Sequence, residues 1–239
     1  MNFYAIHFYT TIINIDTNKV RGKMAKTEKD SFINIQSNKT GKIERLAISL
    51  IKKFLNYFWE VVDILSYKNE KAAELYAKSI GGNYKTEYES CGISKKDRVL
   101  HIGCGAYPLS EIALAKLFNA QVVGIDKNPK VVKLADRVIS KMKLDKSIKV
   151  EHGNGTNYPV NKFDVIIVSS CSLPKAKILE NVFKIAKKPS TIIVRELDIA
   201  TNGILDHVNS YEDIVLEKKI HHQSLLFPIG WNAFCFSKK

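Results

Sequence analysis

After Ser90 the sequence settles into a strict rhythm. Short β-branched runs, Arg98–Ile102 (RVLHI), Gln121–Asp126 (QVVGID), Ile148–His152 (IKVEH), Phe163–Val168 (FDVIIV) and Thr191–Glu196 (TIIVRE), alternate with helical segments near Ser110–Phe118, Pro129–Lys143 and Lys175–Lys187. Strands that alternate with helices build right-handed βαβ units, and these stack into a doubly wound parallel sheet. The tail breaks the rhythm. Ile214–Ile220 and Asn232–Ser237 read as two strands joined only by a turn-rich loop around Phe227-Pro228-Ile229-Gly230. The expected fold is therefore α/β: a Rossmann-like sheet of seven strands whose C-terminal antiparallel hairpin adds to one edge.

In an open α/β sheet, ligands bind beyond the carboxyl ends of the strands, where the strand order reverses. The first strand runs into His101-Ile102-Gly103-Cys104-Gly105-Ala106-Tyr107-Pro108-Leu109-Ser110, and a helix follows with Ser110 as a candidate N-cap. Gly103 can make the tight turn, and Gly105 lets backbone approach a ligand because no Cβ intrudes. Asp126 closes the next strand, 21 residues after Gly105. A carboxylate there can accept hydrogen bonds from both ribose hydroxyls of an adenosine. A dinucleotide loop usually carries a third glycine beneath its pyrophosphate, and here that place holds Pro108. The open loop suits S-adenosylmethionine, which has no phosphate. The expected cofactor-binding set is His101, Gly103, Cys104, Gly105, Asp126, Lys127, Gly153, Asn154 and Ser169. Within it, Gly153-Asn154 follows the third strand and faces the adenine edge, and Ser169 leaves the fourth strand at its carboxyl end. Asp164, at the opposite end of that strand, is read as structural.

The region before residue 91 divides in two. Residues 1–40 open with an apolar stretch that lacks a basic leader and a cleavage site, then turn polar. That composition predicts poor order, with Met24 as an alternative start. From Lys42 the pattern is helical: Leu46, Leu50, Phe54, Phe58, Val61, Ile64 and Leu65 recur at three- and four-residue steps, with Lys52, Lys53, Glu60 and Asp63 between them. A second, weaker helix is expected around Lys71–Ser79, stopped by the Gly81-Gly82 pair. Residues 41–90 are too few for a domain and are expected to form a helical cap or lid on a cofactor domain at 91–239.

The formal charge is +13, and the excess divides almost evenly, +6 over residues 1–98 and +7 over the rest. With no Arg-rich tract, this favours a basic solvated surface over a nucleic-acid footprint. Cys91, Cys104, Cys171 and Cys235 show no metal-ligand spacing, so no metal site and a reducing, cytoplasmic setting are expected. No run of apolar residues is long enough to span a membrane.

Residues 90–239 resemble the class I S-adenosylmethionine-dependent methyltransferases. Within that superfamily, HIGCGAYPLSEIALAKLF is most similar to nicotianamine synthase-like proteins, especially archaeal ones, whose loop also puts Pro-Leu-Ser/Thr where the third glycine would stand. The similarity continues loosely through IDKNPKVVKLADRVI and FDVIIVSSCSLPKAKILENVFKIAK. It implies that the N-terminal helices cover the substrate, that Tyr84-x-x-Glu87-Tyr88 approaches the site, and that a 3-amino-3-carboxypropyl group is transferred to an amine. Methyl transfer to a small molecule is the first expectation, aminocarboxypropyl transfer the alternative. An RNA methyltransferase or nucleic-acid-binding protein, and a non-catalytic protein that keeps the cofactor site, stand behind them. Either transfer needs alignment and removal of a proton. Glu87 and Tyr107 are the expected catalytic residues, with Glu196 and His207 as further candidate bases. Tyr84, Tyr88, Cys171, Arg195 and Glu196 are the expected substrate-binding residues. Arg195 can grip a carboxylate in a bidentate fork, although strand alternation sends Arg195 and Glu196 to opposite faces.

Overall fold

The computed structural model describes residues 41–223 and 230–239. The expectations for residues 1–40 and for the loop at 227–229 lie outside the described residues. Among the described residues two helices come first, α1 (Lys42–Lys68) and α2 (Glu70–Ser90). Then follow β1 (Arg98–Ile102), α3 (Leu109–Phe118), β2 (Gln121–Asp126), α4 (Pro129–Lys141), β3 (Ile148–His152), β4 (Val165–Val168), α5 (Lys175–Ile185) and β5 (Ser190–Leu197). A 3-10 turn, α6 (Thr201–Val208), β6 (Ile214–His222) and β7 (Trp231–Lys238) complete the chain.

The strands form one seven-stranded sheet in the order β3-β2-β1-β4-β5-β7-β6. β1 to β5 pair in parallel, and β7 runs antiparallel to both β5 and β6. The order reverses between β1 and β4, which opens the crevice beyond their carboxyl ends. Helices cover both faces. Val99, Ile167 and Ile193 pack beneath α2, α3 and α4; Leu100, Ile166 and Val194 pack beneath α5 and α6. That is why β4 reads Val-Ile-Ile-Val without alternation and is buried at every position. Each such side chain contributes roughly 1.5–3 kcal/mol by leaving water.

The helix starts follow local chemistry. Asn69 caps α2 by accepting from the Lys71 and Ala72 amides at 2.9 and 3.3 Å. Asn128 caps α4 the same way through the Lys130 amide at 3.0 Å, with Pro129 as the first helical residue. Asn119 ends α3 in the left-handed region at φ 52°.

Three expectations need correction. The Gly81-Gly82 pair does not stop α2, which runs on to Ser90. Tertiary contacts of Tyr84, Glu87 and Tyr88 outweigh the roughly 1 kcal/mol that each glycine costs a helix. The apolar stripe of α1 is not its buried face either: Leu46 is 50% and Leu65 52% exposed, while Ile48, Ile51 and Leu55 are buried, the last two against Leu197 of β5. α1 is apolar on two faces, and periodicity could not choose between them. Finally, Ser110 is not the N-cap of α3, which begins at Leu109 after Pro108; its hydroxyl accepts from Arg195 instead.

Candidate active site

The floor of the site is backbone. Gly103 and Gly105 adopt φ of +89° and +71°, where side chains are strained. Space forbids them as well: a Cβ on Gly103 would strike the Ser172 hydroxyl, and one on Gly105 would strike the Asp63 carboxylate. The Gly103 and Cys104 amides both donate to the Ile125 carbonyl, at 2.8 and 3.1 Å, which ties the loop to the end of β2. Ser169 N–H and Ser172 Oγ–H close the other side by donating to the Ile102 carbonyl at 3.1 and 2.7 Å. Asp126 ends β2 beside this loop; its Oδ1 accepts from the Asn128 amide at 2.9 Å, and its second oxygen has no hydrogen bond among the described residues.

The roof is made of side chains. α1 and α2 lie over the loop and enclose a cavity of about 530 Å³, within the range of small-molecule sites. Trp59 packs on Tyr76 with ring centroids 5.8 Å apart, and Tyr76 on Tyr107 at 6.2 Å. From one turn further along α1, Asp63 reaches down to accept from the Ala106 amide at 2.9 Å. Burial, reinforced by Glu111 and Asp126, pushes its carboxyl up to about 8 against the pull of the Tyr107 and Ala106 amides. Its residual exposure opens onto the cavity that it lines.

Behind the cavity lies a buried ionic network. Arg195 Nε donates to both Glu87 oxygens at 2.9 and 3.2 Å, Nη1 to Ser110 at 2.9 Å and Nη2 to the Tyr88 hydroxyl at 2.8 Å. The guanidinium also stacks on the Tyr84 ring at 4.1 Å. Burial works against both charges, yet Arg195 and His222 hold Glu87 below the usual carboxylate range, and Glu87 holds Arg195 above its ordinary value. On the other face of β5, Glu196 accepts from Lys52 of α1 at 2.8 Å. Nearby, Lys175 ties the ends of β4 and β5 by donating to the Ser169 and Arg195 carbonyls, and burial lowers its ammonium to about 8.

The nine residues expected at the cofactor all line the cavity, as do Tyr84, Tyr107, Cys171 and Arg195. Lys127 donates to the Leu173 carbonyl at 3.4 Å, Asn154 turns its side-chain oxygen onto the Thr156 amide at 3.1 Å, and burial raises the Cys171 thiol to about 11. His101 is buried with Nδ1 2.7 Å from Glu111, and its Nε2 has no hydrogen-bond partner among the described residues. Glu87, Tyr88 and Glu196 stand behind the lining, and His207 packs near Phe183 on the far face of the sheet. Arg195 and Glu196 point to opposite faces as alternation requires, and the fork of Arg195 is closed by Glu87 rather than open to a carboxylate. At the far end of β4, Asp164 pairs with Lys187 and accepts the Arg98 amide at 2.8 Å.

Sequence reasoning missed Trp59, Asp63 and Tyr76 as a group. The available signal was the i, i+4 spacing of Trp59 and Asp63, which puts them on one face of α1. It pointed to the opposite face from the stripe that periodicity favoured. Among the described residues, no group of three or more His, Cys, Asp and Glu could hold a metal ion, and no helix is long and apolar enough to cross a membrane.

Comparison with known proteins extends the geometry. Residues 93–226, more than half of the chain, match the methyltransferase domain family. A demethylmenaquinone methyltransferase of Lactobacillus johnsonii is 27% identical over 128 residues, covering 51% of this chain and 52% of that protein. A ribosomal protein L11 methyltransferase of Thermotoga petrophila is 28% identical over 141 residues, or 59% and 46%. The chain thus spans about half the length of the curated relatives it matches. Among solved structures, a glutamate-to-glutamine variant of the nicotianamine synthase MtNAS, in complex with S-adenosylmethionine, superposes with a TM-score of 0.66 at 19% identity, covering 83% of this chain and 80% of that one. The matched segment begins five residues before β1 and carries the glycine loop: the chain belongs to the methyltransferase domain family, and S-adenosylmethionine is its cofactor.

Proposed function

We propose that the protein is an S-adenosylmethionine-dependent transferase acting on a small molecule, and that the transferred group is methyl. The observation that carries this reading is the roof. Beyond the glycine loop the cavity runs under α1 and α2 into an aromatic chamber walled by Trp59, Tyr76 and Tyr107, a space suited to a small acceptor rather than to a duplex or a folded protein. Residues 41–90 then act as the lid and 91–239 as the cofactor domain, in a cytoplasmic setting that keeps the four free thiols reduced.

When bound, the cofactor supplies a carbon on a sulfonium, a good leaving group. The chain has to orient and to deprotonate. Asp126 would hold the ribose hydroxyls, Gly153 and Asn154 the adenine edge, and the backbone of Gly103–Gly105 the methionine end, with His101, Cys104, Lys127 and Ser169 completing the wall. Tyr107 and Cys171 would border the reacting carbon. With the cofactor and an acceptor bound, the chain's own part would be to align the two and to pass the acceptor proton out through Tyr107, which lines the cavity, or solvent. Glu87 would act through Arg195, holding Tyr84 and Tyr88 in place on the substrate side, rather than by taking the proton itself.

Aminocarboxypropyl transfer is the second reading, and one observation favours it. Residues 93–239 are 147 of 239, so the 83% of the chain that superposes on MtNAS must include much of the region before residue 93. A geranyl diphosphate C-methyltransferase of Streptomyces coelicolor covers only 66%, at a TM-score of 0.56. Mass analysis of spent cofactor separates the readings. S-adenosylhomocysteine supports methyl transfer, and methylthioadenosine supports the second reading. Neither product, with S-adenosylmethionine bound and small amines, alcohols and thiols supplied, would overturn both.

A further inference from the structure

Three carboxylates surround the glycine loop: Asp63 from the roof, Glu111 from α3 and Asp126 from β2. Glu111 has His101 at 2.7 Å, and Asp126 borders exposed Lys127. Asp63 is different. Its partners are the Ala106 and Tyr107 amides, and among the described residues no cation pairs with it. A half-buried carboxylate walled by aromatic rings is normally paired or neutralised. Here it opens onto the cavity, on the same helix face as Trp59 and within electrostatic reach of Tyr76 and Tyr84 on α2. A carboxylate beside aromatic faces is the composition that binds a desolvated cation.

We propose that Asp63, with Trp59, Tyr76 and Tyr107 as its walls, is a subsite for a cationic group, an ammonium or a sulfonium, on a molecule that fills the cavity. This deepens the function proposed above and rests on it for the identity of one ligand. The cation has two possible sources, the cofactor itself or an amine acceptor seated beside it. Gly105 is part of the device, since a side chain there would push the carboxylate off the loop. Asp63 enters the cavity largely protonated near neutral pH, its carboxyl held up to about 8 by burial and by Glu111 and Asp126. The other charged groups lining the cavity are Glu60 on its own helix, His101, Asp126, Lys127, Lys130 on α4 and Arg195. An arriving cation draws the proton off.

The test compares wild type with Asp63→Asn. Asparagine can still accept from the loop amides, so a purely structural tie survives the change. Calorimetry uses three probes: S-adenosylmethionine, S-adenosylhomocysteine and butylammonium, the last with and without S-adenosylhomocysteine. A loss of about 10–100-fold is expected, that of one charge-assisted contact. Equal loss for both cofactor forms assigns the cofactor ammonium, loss for S-adenosylmethionine alone the sulfonium, and loss for butylammonium alone an amine acceptor. Proton release on binding at pH 7, read in buffers of different ionisation enthalpy, should approach one in wild type and vanish in the variant. This readout stands even if the variant folds poorly. All affinities within twofold, with no proton released by wild type, would overturn the subsite. Failure of wild type to bind either cofactor form would instead remove the cofactor reading, leaving the butylammonium arm to judge the subsite.

Discussion

The floor and the roof of the cavity are built by different means. The floor works through backbone: two positive-φ glycines and amides that hydrogen-bond the neighbouring strand. The roof works through side chains from α1 and α2, whose ionised groups reach across to Arg195 and Glu196. Backbone recognition ties a site to a few residues at one strand end. Side-chain recognition spreads it over residues 144 apart in sequence, as Lys52 and Glu196 show. On the function proposed above, the floor would serve the cofactor while the roof would select the acceptor.

The largest effect that should separate them is a conflict between stability and function at Asp63. Its carboxyl rises from 3.8 to about 8 on folding. Between those values the folded state binds more protons than the unfolded, so stability falls as pH rises from about 4 to about 8 and levels off above. At about 1.4 kcal/mol per pKa unit, the total is on the order of 5 kcal/mol. Ligand-free Asp63→Asn should lack this slope and should melt above wild type at pH 9. Equal melting temperatures for the two proteins across pH 5–9 would mean that the roof holds Asp63 no differently from the floor.

Next in size is the Arg195–Glu87 pair. Removing one partner leaves an uncompensated buried charge, costing about 3–5 kcal/mol. Glu87→Gln should thus lower Tm by roughly 10 °C and lose turnover only in proportion to folded protein. Unchanged Tm with turnover abolished would restore Glu87 as a proton acceptor.

The same division explains how much was legible in sequence. The parallel strands were visible because β-branched residues mark them, most plainly in β4, which is apolar and buried at every position. The glycine loop and Asp126 were visible because backbone geometry leaves few residues able to stand there. The roof was not. α1 carries Leu46 and Leu65 on one face and Ile48, Ile51 and Leu55 on another, and only packing against Leu197 decides which turns inward. Once that face is set, Asp63 and Trp59 turn inward with it. Glycine at 81 and 82 read as a stop because local propensity does not register Arg195, more than a hundred residues away.

On the floor, Asp126→Ala should weaken S-adenosylmethionine binding roughly 100-fold by calorimetry, two hydrogen bonds to a charged group at about 1.5 kcal/mol each. The circular dichroism spectrum should not change, because among the described residues that side chain accepts only from the Asn128 amide. Wild-type affinity in the variant would move ribose recognition elsewhere and leave the floor without a ligand-reading side chain at β2.

The smallest effect concerns the roof's own frame. Gly82 lies within α2, exposed, and beyond its own helical turns nothing stands within 4 Å of where a Cβ would project. Alanine there would cost no contact and would remove backbone entropy from the unfolded chain, so Gly82→Ala should stabilise the protein by about 0.5–1 kcal/mol. Thermal melts would show a rise of a few degrees with ligand affinities unchanged. If instead Tm stays level while ligand binding slows, the glycine pair is a joint on which Tyr84 and Glu87 swing. The roof would then differ from the floor in motion as well as in chemistry, because the Gly103 and Cys104 amides tie the floor loop to the Ile125 carbonyl at the end of β2.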